Sequence, residues 1–515
     1  MRNSLGLFEC YFVGDILNNN FYADSKALFQ SPGSITFLAP DNLGMKEKGI
    51  TQTFYNNAAN VPYVNALLNY HTLSTTVLST DLDRNLLDSV KSTTLLDSNF
   101  TKFGRGIFAP LLVAQSPEWP NYNYVISGRP SADQVSFGGN NADIQCLNGV
   151  VQVVNQVISF PQDPLAVIKA AGYVEFGNAV TKAGVASQIK ALQGATILPV
   201  TDQGMLNVQW STLPATQLKQ LVLSQVIPQA VFYGDVALKT SPISVTALSG
   251  LPVTLTPVNQ AVYASGPGTT PGVYPYLEGR VVQYNLLSAN AVIHGVDRPN
   301  YPSQSAFPLS PVPYVPTQWI ANTIDPPQGE GVEQYNFLDP FQSSDWNPCG
   351  HWAQYPGCSR LESDTGSDFS YNIRWYLGCF NDCCYAPYEG DIKEWQLRPN
   401  KATSVPAQVI ESFGKNINCT GWHDDYNIAA YTYWFTTEAT TNKPILHRID
   451  YTAVGVPPGD IQFQNFQEVA QDDSAAFAFG LVGANASASL FNEPTICDAF
   501  NILQCPTSSS SLENL

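Results

Sequence analysis

Charged side chains are scarce in this chain of 515 residues, at 13% of the whole, about half the share of an ordinary soluble protein. Basic ones are scarcer still. The 24 Lys and Arg face 42 Asp and Glu, for a formal charge of -18, and no Lys/Arg cluster stands out anywhere. Such a polyanion has no patch to neutralise a phosphate backbone or an anionic lipid surface, which excludes nucleic acid as a partner. No stretch of eighteen apolar residues exists, so no transmembrane segment is expected.

Catalytic motifs are missing as well. There is no Gly-x-Ser-x-Gly, no His-Glu-x-x-His and no Walker sequence, and Gly266-Pro267-Gly268 to Gly272 reads as a Pro-rich turn. The five histidines, at 71, 294, 351, 423 and 447, are scattered. His423-Asp424-Asp425 has the ligand types for a cation, but its plainer reading is a solvated turn after Gly421. No enzyme, cofactor or metal is expected.

Cysteine is rare in the first two thirds, where only Cys10 and Cys146 occur. The other eight, Cys349, Cys358, Cys379, Cys383, Cys384, Cys419, Cys497 and Cys505, crowd the last third. Both numbers are even, as a disulfide set requires. Zinc is the rival reading for Cys379, Cys383 and Cys384, but no second close pair or neighbouring His completes a four-ligand site. The expectation is therefore an oxidising compartment, with Cys10 paired to Cys146 and the last eight paired among themselves. Sequons at Asn99, Asn418 and Asn485 fit a secreted glycoprotein. The stretch Leu5 to Leu17, interrupted by Glu9 and Asp15, lacks the form of a secretory signal and reads as a first helix. A leader is then either missing from this sequence or already removed, and the polar tail after Cys505 carries no anchor signal.

What the chain does contain is a repeat. Asn148-Gly149-Val150-Val151-Gln152 is answered by Asn290-Ala291-Val292-Ile293-His294, Thr36-Phe37-Leu38-Ala39-Pro40 by Thr196-Ile197-Leu198-Pro199-Val200, and Ala66-Leu67-Leu68-Asn69-Tyr70-His71 by Gln220-Leu221-Val222-Leu223-Ser224-Gln225. The offset falls from 160 (Thr36 to Thr196) through 154 (Ala66 to Gln220) to 142 residues (Asn148 to Asn290). A period of this size is that of a domain, and a shrinking offset places the lost length in loops.

These blocks resemble the fasciclin (FAS1) family in an apolar strand ending in Ala-Pro, a central Tyr-His and a C-terminal Asn-Gly-Val strand. The resemblance covers roughly residues 5 to 302 and implies a β-wedge with helices packed on it, and a role in adhesion for the region of Tyr70, His71, Asn148, Gly149 and Val150. The residues themselves indicate an α+β class, with strands over Ile35 to Leu38 and Val150 to Ile158 and an amphipathic helix through Leu86, Leu87 and Val90. Beside Leu67-Leu68, Tyr70 and His71 are expected to be a buried, hydrogen-bonded pair. The second copy has Ser224-Gln225 there and is expected to tolerate substitution of Gln225 better. His294, at the place of Gln152, reads as a strand histidine, and Asn148-Gly149 as a positive-φ turn.

The expected organisation is a first FAS1-like domain over 1-162, a divergent second over 163-302, a Pro-rich linker over 303-334 and a disulfide-rich antiparallel β domain over 335-515 with a polar tail. In the last of these, Ile445, His447, Ile449 and Tyr451 alternate with polar residues as in a half-buried strand. Over about twenty residues, Tyr433-Trp434-Phe435 and Lys443 to Tyr451 look like ependymin-related proteins, which implies an apolar ligand cavity. The functional expectation is a secreted adhesion or extracellular-matrix protein with protein or glycan partners. The alternative is a carrier holding a hydrophobic small molecule in the C-terminal domain.

Overall fold

The computed structural model describes residues 10–303 apart from 31–32, 83–89, 97, 105–106, 116–121, 128–133, 139–140, 259–260 and 271–277. Beyond them it describes 312–313, 318–325, 329–337, 343–348, 359–363, 372–377, 384–388, 397, 401–468 without 427–428 and 455, and 503–504. Between 318 and 388 it describes backbone only, Ala321 aside.

The first repeat opens with α1 (Tyr11–Asn18) and α2 (Ala23–Gln30), then β1 (Ile35–Pro40), α3 (Asn42–Glu47), α4 (Gln52–Tyr55), α5 (Val61–Tyr70) and β2 (Thr72–Leu73). The strands β3 (Val90–Ser92), β4 (Pro110–Gln115), β5 (Tyr122–Ile126), β6 (Gln134–Gly138), β7 (Ile144–Cys146) and β8 (Gly149–Val154) complete it. Helical spacing explains α5. Pro62 sits in its first turn, where a missing N–H costs nothing, and Val64, Leu67 and Leu68 form one buried stripe. Asp41 starts α3 by accepting a hydrogen bond from the Gly44 N–H at 2.7 Å.

The second repeat runs through α6 (Pro164–Ala170), α7 (Val174–Lys182), α8 (Ala186–Lys190), β9 (Ala195–Ile197), α9 (Asp202–Asn207), α10 (Ala215–Ser224), β10 (Val226–Ile227) and α11 (Tyr233–Ala237). It ends with β11 (Ile243–Thr246), β12 (Pro252–Val258), β13 (Ala261–Ser265), β14 (Gly279–Leu287) and β15 (Ala291–Val296).

Strand order matches between the halves. The first has a sheet β2-β1-β8-β7 and a second sheet β3-β4-β5-β6, while the other half has one sheet, β10-β9-β15-β14-β13-β12-β11. In both, the first and last strands pair in parallel, Thr36 with Val150 and Thr196 with Val292. The single long β14 does the work of β6 and β7: its start, Gly279 and Arg280, pairs with β13, and from Val281 on it pairs with β15, with irregularities on either side of Gln283.

Each half buries its own apolar clusters, around Phe37, Leu67 and Val151 and around Leu38, Tyr70 and Val125 in the first, and around Ile197, Val222 and Ile293 in the second. A smaller cluster bridges them, with Phe103, Leu112 and Ile126 against Leu287 and Val292. Backbone bonds run across the same seam, from the Lys102 N–H to the Ala289 carbonyl (2.6 Å) and from the Gly194 N–H to the Lys102 carbonyl (3.1 Å).

The last part forms a twelve-stranded sheet. Its strands are β16 (Gln318–Asp325), β17 (Gly329–Phe337), β18 (Ser343–Pro348), β19 (Ser359–Ser363), β20 (Asn372–Leu377), β21 (Cys384–Tyr388), β22 (Thr403–Ser412), β23 (Lys415–Asp425), β24 (Ala429–Thr437), β25 (Pro444–Ala453), β26 (Val456–Glu468) and β27 (Leu503–Gln504). They lie in the order β22-β23-β24-β25-β26-β16-β17-β18-β19-β20-β21-β27. One face packs Tyr433, Phe435, Leu446, Ile449 and Phe463, and the other packs Ile410, Cys419 and Trp434.

Several expectations need correction. The stretch expected as a linker, 303-334, contains β16, which pairs with β26, and the start of β17, which pairs with β16. Val90, expected in a helix, begins β3, and Leu86 and Leu87 lie outside the described residues. The expected first helix is seen as α1, with residues 1–9 outside the described part. In β25 the buried residues are Leu446 and Ile449 rather than an unbroken alternation, because the register with β24 shifts between Trp434 and Phe435 and leaves His447 as an extra residue.

Among the described residues no disulfide is seen. No disulfide joins Cys10 to Cys146, although both lie in one apolar cluster, and the Cys146 thiol turns back toward the Ile144 carbonyl at 3.8 Å. Cys419 is a free thiol packed between Ile410 and Trp434, and burial pushes its pKa up to about 11. The side chains of Cys349, Cys358, Cys379, Cys383, Cys384, Cys497 and Cys505 lie outside the described residues.

Candidate functional site: a side-chain frame built twice

The blocks that define the repeat converge on one place in each half, where the parallel strands meet the helix before them. A buried strand Thr must satisfy a donor and an acceptor. Thr36 donates to the Thr75 carbonyl (2.9 Å) and accepts from the Val77 N–H (2.7 Å). Thr196 does the same with the Gln229 carbonyl (2.8 Å) and the Val231 N–H (2.8 Å). Each threonine thus pins the segment after its short second strand against the core.

Tyr70 and His71 end α5, and both are buried. The Tyr70 ring lies 5.3 Å from that of Phe160. His71 Nδ1 is 2.9 Å from the Leu67 carbonyl, one helical turn back, and its Nε2 receives the Ile158 N–H at 2.9 Å. A carbonyl can only accept and an amide N–H can only donate, so the ring is neutral with its proton on Nδ1. Burial lowers its pKa to about 4, against a smaller opposing effect of the Leu67 carbonyl.

The second repeat reproduces this with a different residue. Gln225 Nε2 donates to the Leu221 carbonyl at 3.2 Å, and its Oε1 accepts from the Asn300 N–H at 3.0 Å. An amide offers one donor end and one acceptor end, as a neutral imidazole does. Gln225, where substitution was expected to be better tolerated, is fully buried and closes the same clasp.

The exchange is reversed on the last strand. Gln152 donates from Nε2 to the Val77 carbonyl (3.0 Å) and accepts at Oε1 from the Asp143 N–H (2.7 Å). At the same place His294 donates from Nε2 to the Val231 carbonyl (2.9 Å) and accepts at Nδ1 from the Asn285 N–H (3.0 Å). His294 is thus the opposite neutral tautomer, and burial lowers its pKa to about 4 as well. Each repeat holds one His and one Gln in this frame, in exchanged positions.

Asp143 and Asn285, which the sequence reading missed, complete it. Both adopt left-handed backbone, φ 56° and 57°, where Asp and Asn are the tolerated side chains. The Asp143 carboxylate accepts from the Ser79 N–H (2.8 Å), the Ser79 hydroxyl and Gln152 Nε2 (2.7 Å), and Asn285 accepts from the Tyr233 N–H (3.0 Å). Burial pushes the Asp143 pKa up, but the hydrogen bonds from Ser79 and Gln152 outweigh it and leave the carboxyl below its usual value. Both residues stand five places before the Asn of the last block. That spacing could have exposed them.

Asn148 and Asn290 cap the preceding helices. Asn148 Nδ2 donates to the Phe29 carbonyl (2.8 Å), and Asn290 Nδ2 to those of Ile189, Lys190 and Leu192 at 3.0 to 3.2 Å. The positive φ expected of an Asn-Gly turn falls on Gly149 alone, at 147°, where a Cβ would stand 1.9 Å from the Ile35 carbonyl oxygen. The second repeat carries Ala291 there, because its turn is closed differently, by the Ser288 hydroxyl on the Ala291 backbone. Val150 is buried.

Elsewhere, His423 bonds Thr432 across the sheet at 3.0 Å and Asp424 is buried, so this trio belongs to β23 rather than to a turn. Among the described residues no three His, Cys, Asp or Glu side chains converge as a metal would require. Asn99 and Asn418 are exposed, and Asn485 lies outside the described residues. Asn99 stands with Pro62, Phe100, Lys102 and Gln193 around an open cleft of about 520 Å³ at the seam between the repeats.

These features define an α+β unit occurring twice, with helices packed on a parallel-centred sheet. Compared by sequence, the chain matches no family model and no curated protein. Among solved structures it is similar to the FAS1 domain pair from the insect cell adhesion molecule fasciclin I, at 14% identity and a TM-score of 0.27, over 56% of this chain and 95% of that one. It is also similar to PNGF-II at 9% identity and a TM-score of 0.18, over 38% of this chain and 32% of that one. At these scores neither likeness carries an argument, and the repeat rests on the chain's own bonds. No helix among the described residues is long and apolar enough to cross a membrane.

Proposed function

We propose that this chain is an adhesion-type extracellular protein in which two FAS1-like modules, 1-162 and 163-302, bind protein or glycan partners. The observation that carries this reading is where the shared residues point. Tyr70, His71, Gln152, Gln225 and His294 are buried, and each bonds backbone groups inside its own repeat. A frame of this kind holds a shape and performs no chemistry, which favours binding over catalysis. Contacts then belong to the loops, which differ in length between the repeats. Secretion with glycans at Asn99, Asn418 and Asn485 is part of the proposal.

The test is attachment to the immobilised full chain, of cells and of matrix proteins and glycans in separate assays, with the heat-denatured chain as control. Binding to the folded chain alone is expected. Equal binding to both would overturn the reading. A native mass spectrum addresses the carrier alternative, for which a bound small molecule would appear as extra mass lost on denaturation.

A further inference from the structure

We propose that His71 and His294 are a matched pair of acid-release clasps, one in each repeat, each closed only while its imidazole is neutral. The argument is geometric. In both clasps one ring nitrogen donates to a carbonyl and the other accepts a backbone N–H, from Ile158 in one case and Asn285 in the other. A second proton would set an N–H against an N–H in a site closed to water, with His71 1% and His294 4% exposed.

The surroundings offer the cation nothing. Around His71, α5 contributes the Leu67 carbonyl and Tyr70, β1 contributes backbone at Leu38, and the chain after β8 contributes the Ile158 N–H. Around His294 stand the Val231 carbonyl, Asn285 and the Tyr233 ring, 6.3 Å away. No charged side chain contributes to either shift, and burial dominates both. Each imidazole therefore resists protonation while folded and accepts it at the ordinary histidine pKa when unfolded.

The sign follows. A folded pKa near 4 lies below the unfolded value near 6.5, so the contribution is complete above about pH 6.5 and is lost as pH falls toward 4. Two sites make unfolding take up two protons across that window. The exchanged glutamines supply the control, since an amide closes the same clasp without titrating.

The experiment is calorimetric unfolding of the full chain between pH 7 and 4, for the native protein and for His71→Gln, His294→Gln, the double variant and Gln225→His. The double variant should keep its transition at pH 7 within a few degrees and lose less of it on acidification. Each single variant should remove about half of the difference, and Gln225→His should add acid sensitivity to the second repeat. Imidazole Cε1–H NMR signals of the native chain should show no titration above about pH 5 for two of the five histidines. A double variant as acid-labile as the native chain would overturn the proposal. So would a His71→Gln chain unfolded at pH 7, or two buried rings titrating near pH 6.5.

Discussion

His71 and Gln225 share no chemistry as letters and nearly all of it as hydrogen-bonding groups. Removing either leaves a backbone N–H, of Ile158 or Asn300, without its buried acceptor, at a cost of about 1 to 3 kcal/mol plus lost packing. His71→Ala and Gln225→Ala should therefore destabilise their own repeats by similar amounts in denaturant unfolding. A Gln225→Ala chain as stable as the native one would contradict the equivalence. The residue scale is also where the sequence was hardest to read. Tyr70-His71 was legible because Leu67-Leu68 beside it marks a core segment. Gln225 was not, because a polar amide looks like a surface residue until its two backbone partners, at Leu221 and Asn300, are brought to it by the fold.

At the scale of elements, period and turn chemistry carried far. The strands at Ile35–Pro40 and Gly149–Val154 were plain as apolar runs, and the repeat blocks located their counterparts. The third unit was less legible, since a shifted register moves residues from one face to the other and an alternation pattern assumes none. Cys419, expected in a bridge, is instead a packed thiol, and spacing alone cannot tell the two apart. Cys419, between Ile410 and Trp434, should resist alkylation by iodoacetamide at pH 8 in the native chain and react at the normal rate in urea, because its thiol pKa is pushed up to about 11. Rapid labelling of Cys419 in the folded protein, read by peptide mapping, would show that strand β23 is not packed this way.

At the scale of the molecule, the two repeats are joined by more than the chain that connects them. Gly194 adopts φ 69°, and a Cβ there would lie 2.5 Å from the Phe103 carbonyl oxygen in the other repeat. Gly194→Val should pry the seam open without entering either core. The expected result is a calorimetric transition for the repeats that splits into two, with little change in the later one. A single unshifted transition would mean that the seam contributes nothing to coupling. The third unit also touches the second repeat, where Gln203 Nε2 donates to the Leu397 carbonyl at 2.5 Å.

The parallel pairing of first and last strands has a mechanical consequence. When two neighbouring strands run the same way, pulling the leading end of one against the trailing end of the other slides them along their length. All the bonds between them are strained together and must break nearly at once, whereas a hairpin pulled at its open end peels one bond at a time. Both repeats have this arrangement. The first has six residue pairs, from Ile35 with Gly149 to Pro40 with Val154, and the second has three, from Ala195 with Ala291 to Ile197 with Ile293. In single-molecule stretching of the full chain, two of the rupture events should therefore stand high, the greater force belonging to the first repeat. Shortening its overlap with Ile35→Pro, which removes the amide N–H bonded to the Asn148 carbonyl at the start of the parallel pairing, should bring that peak down.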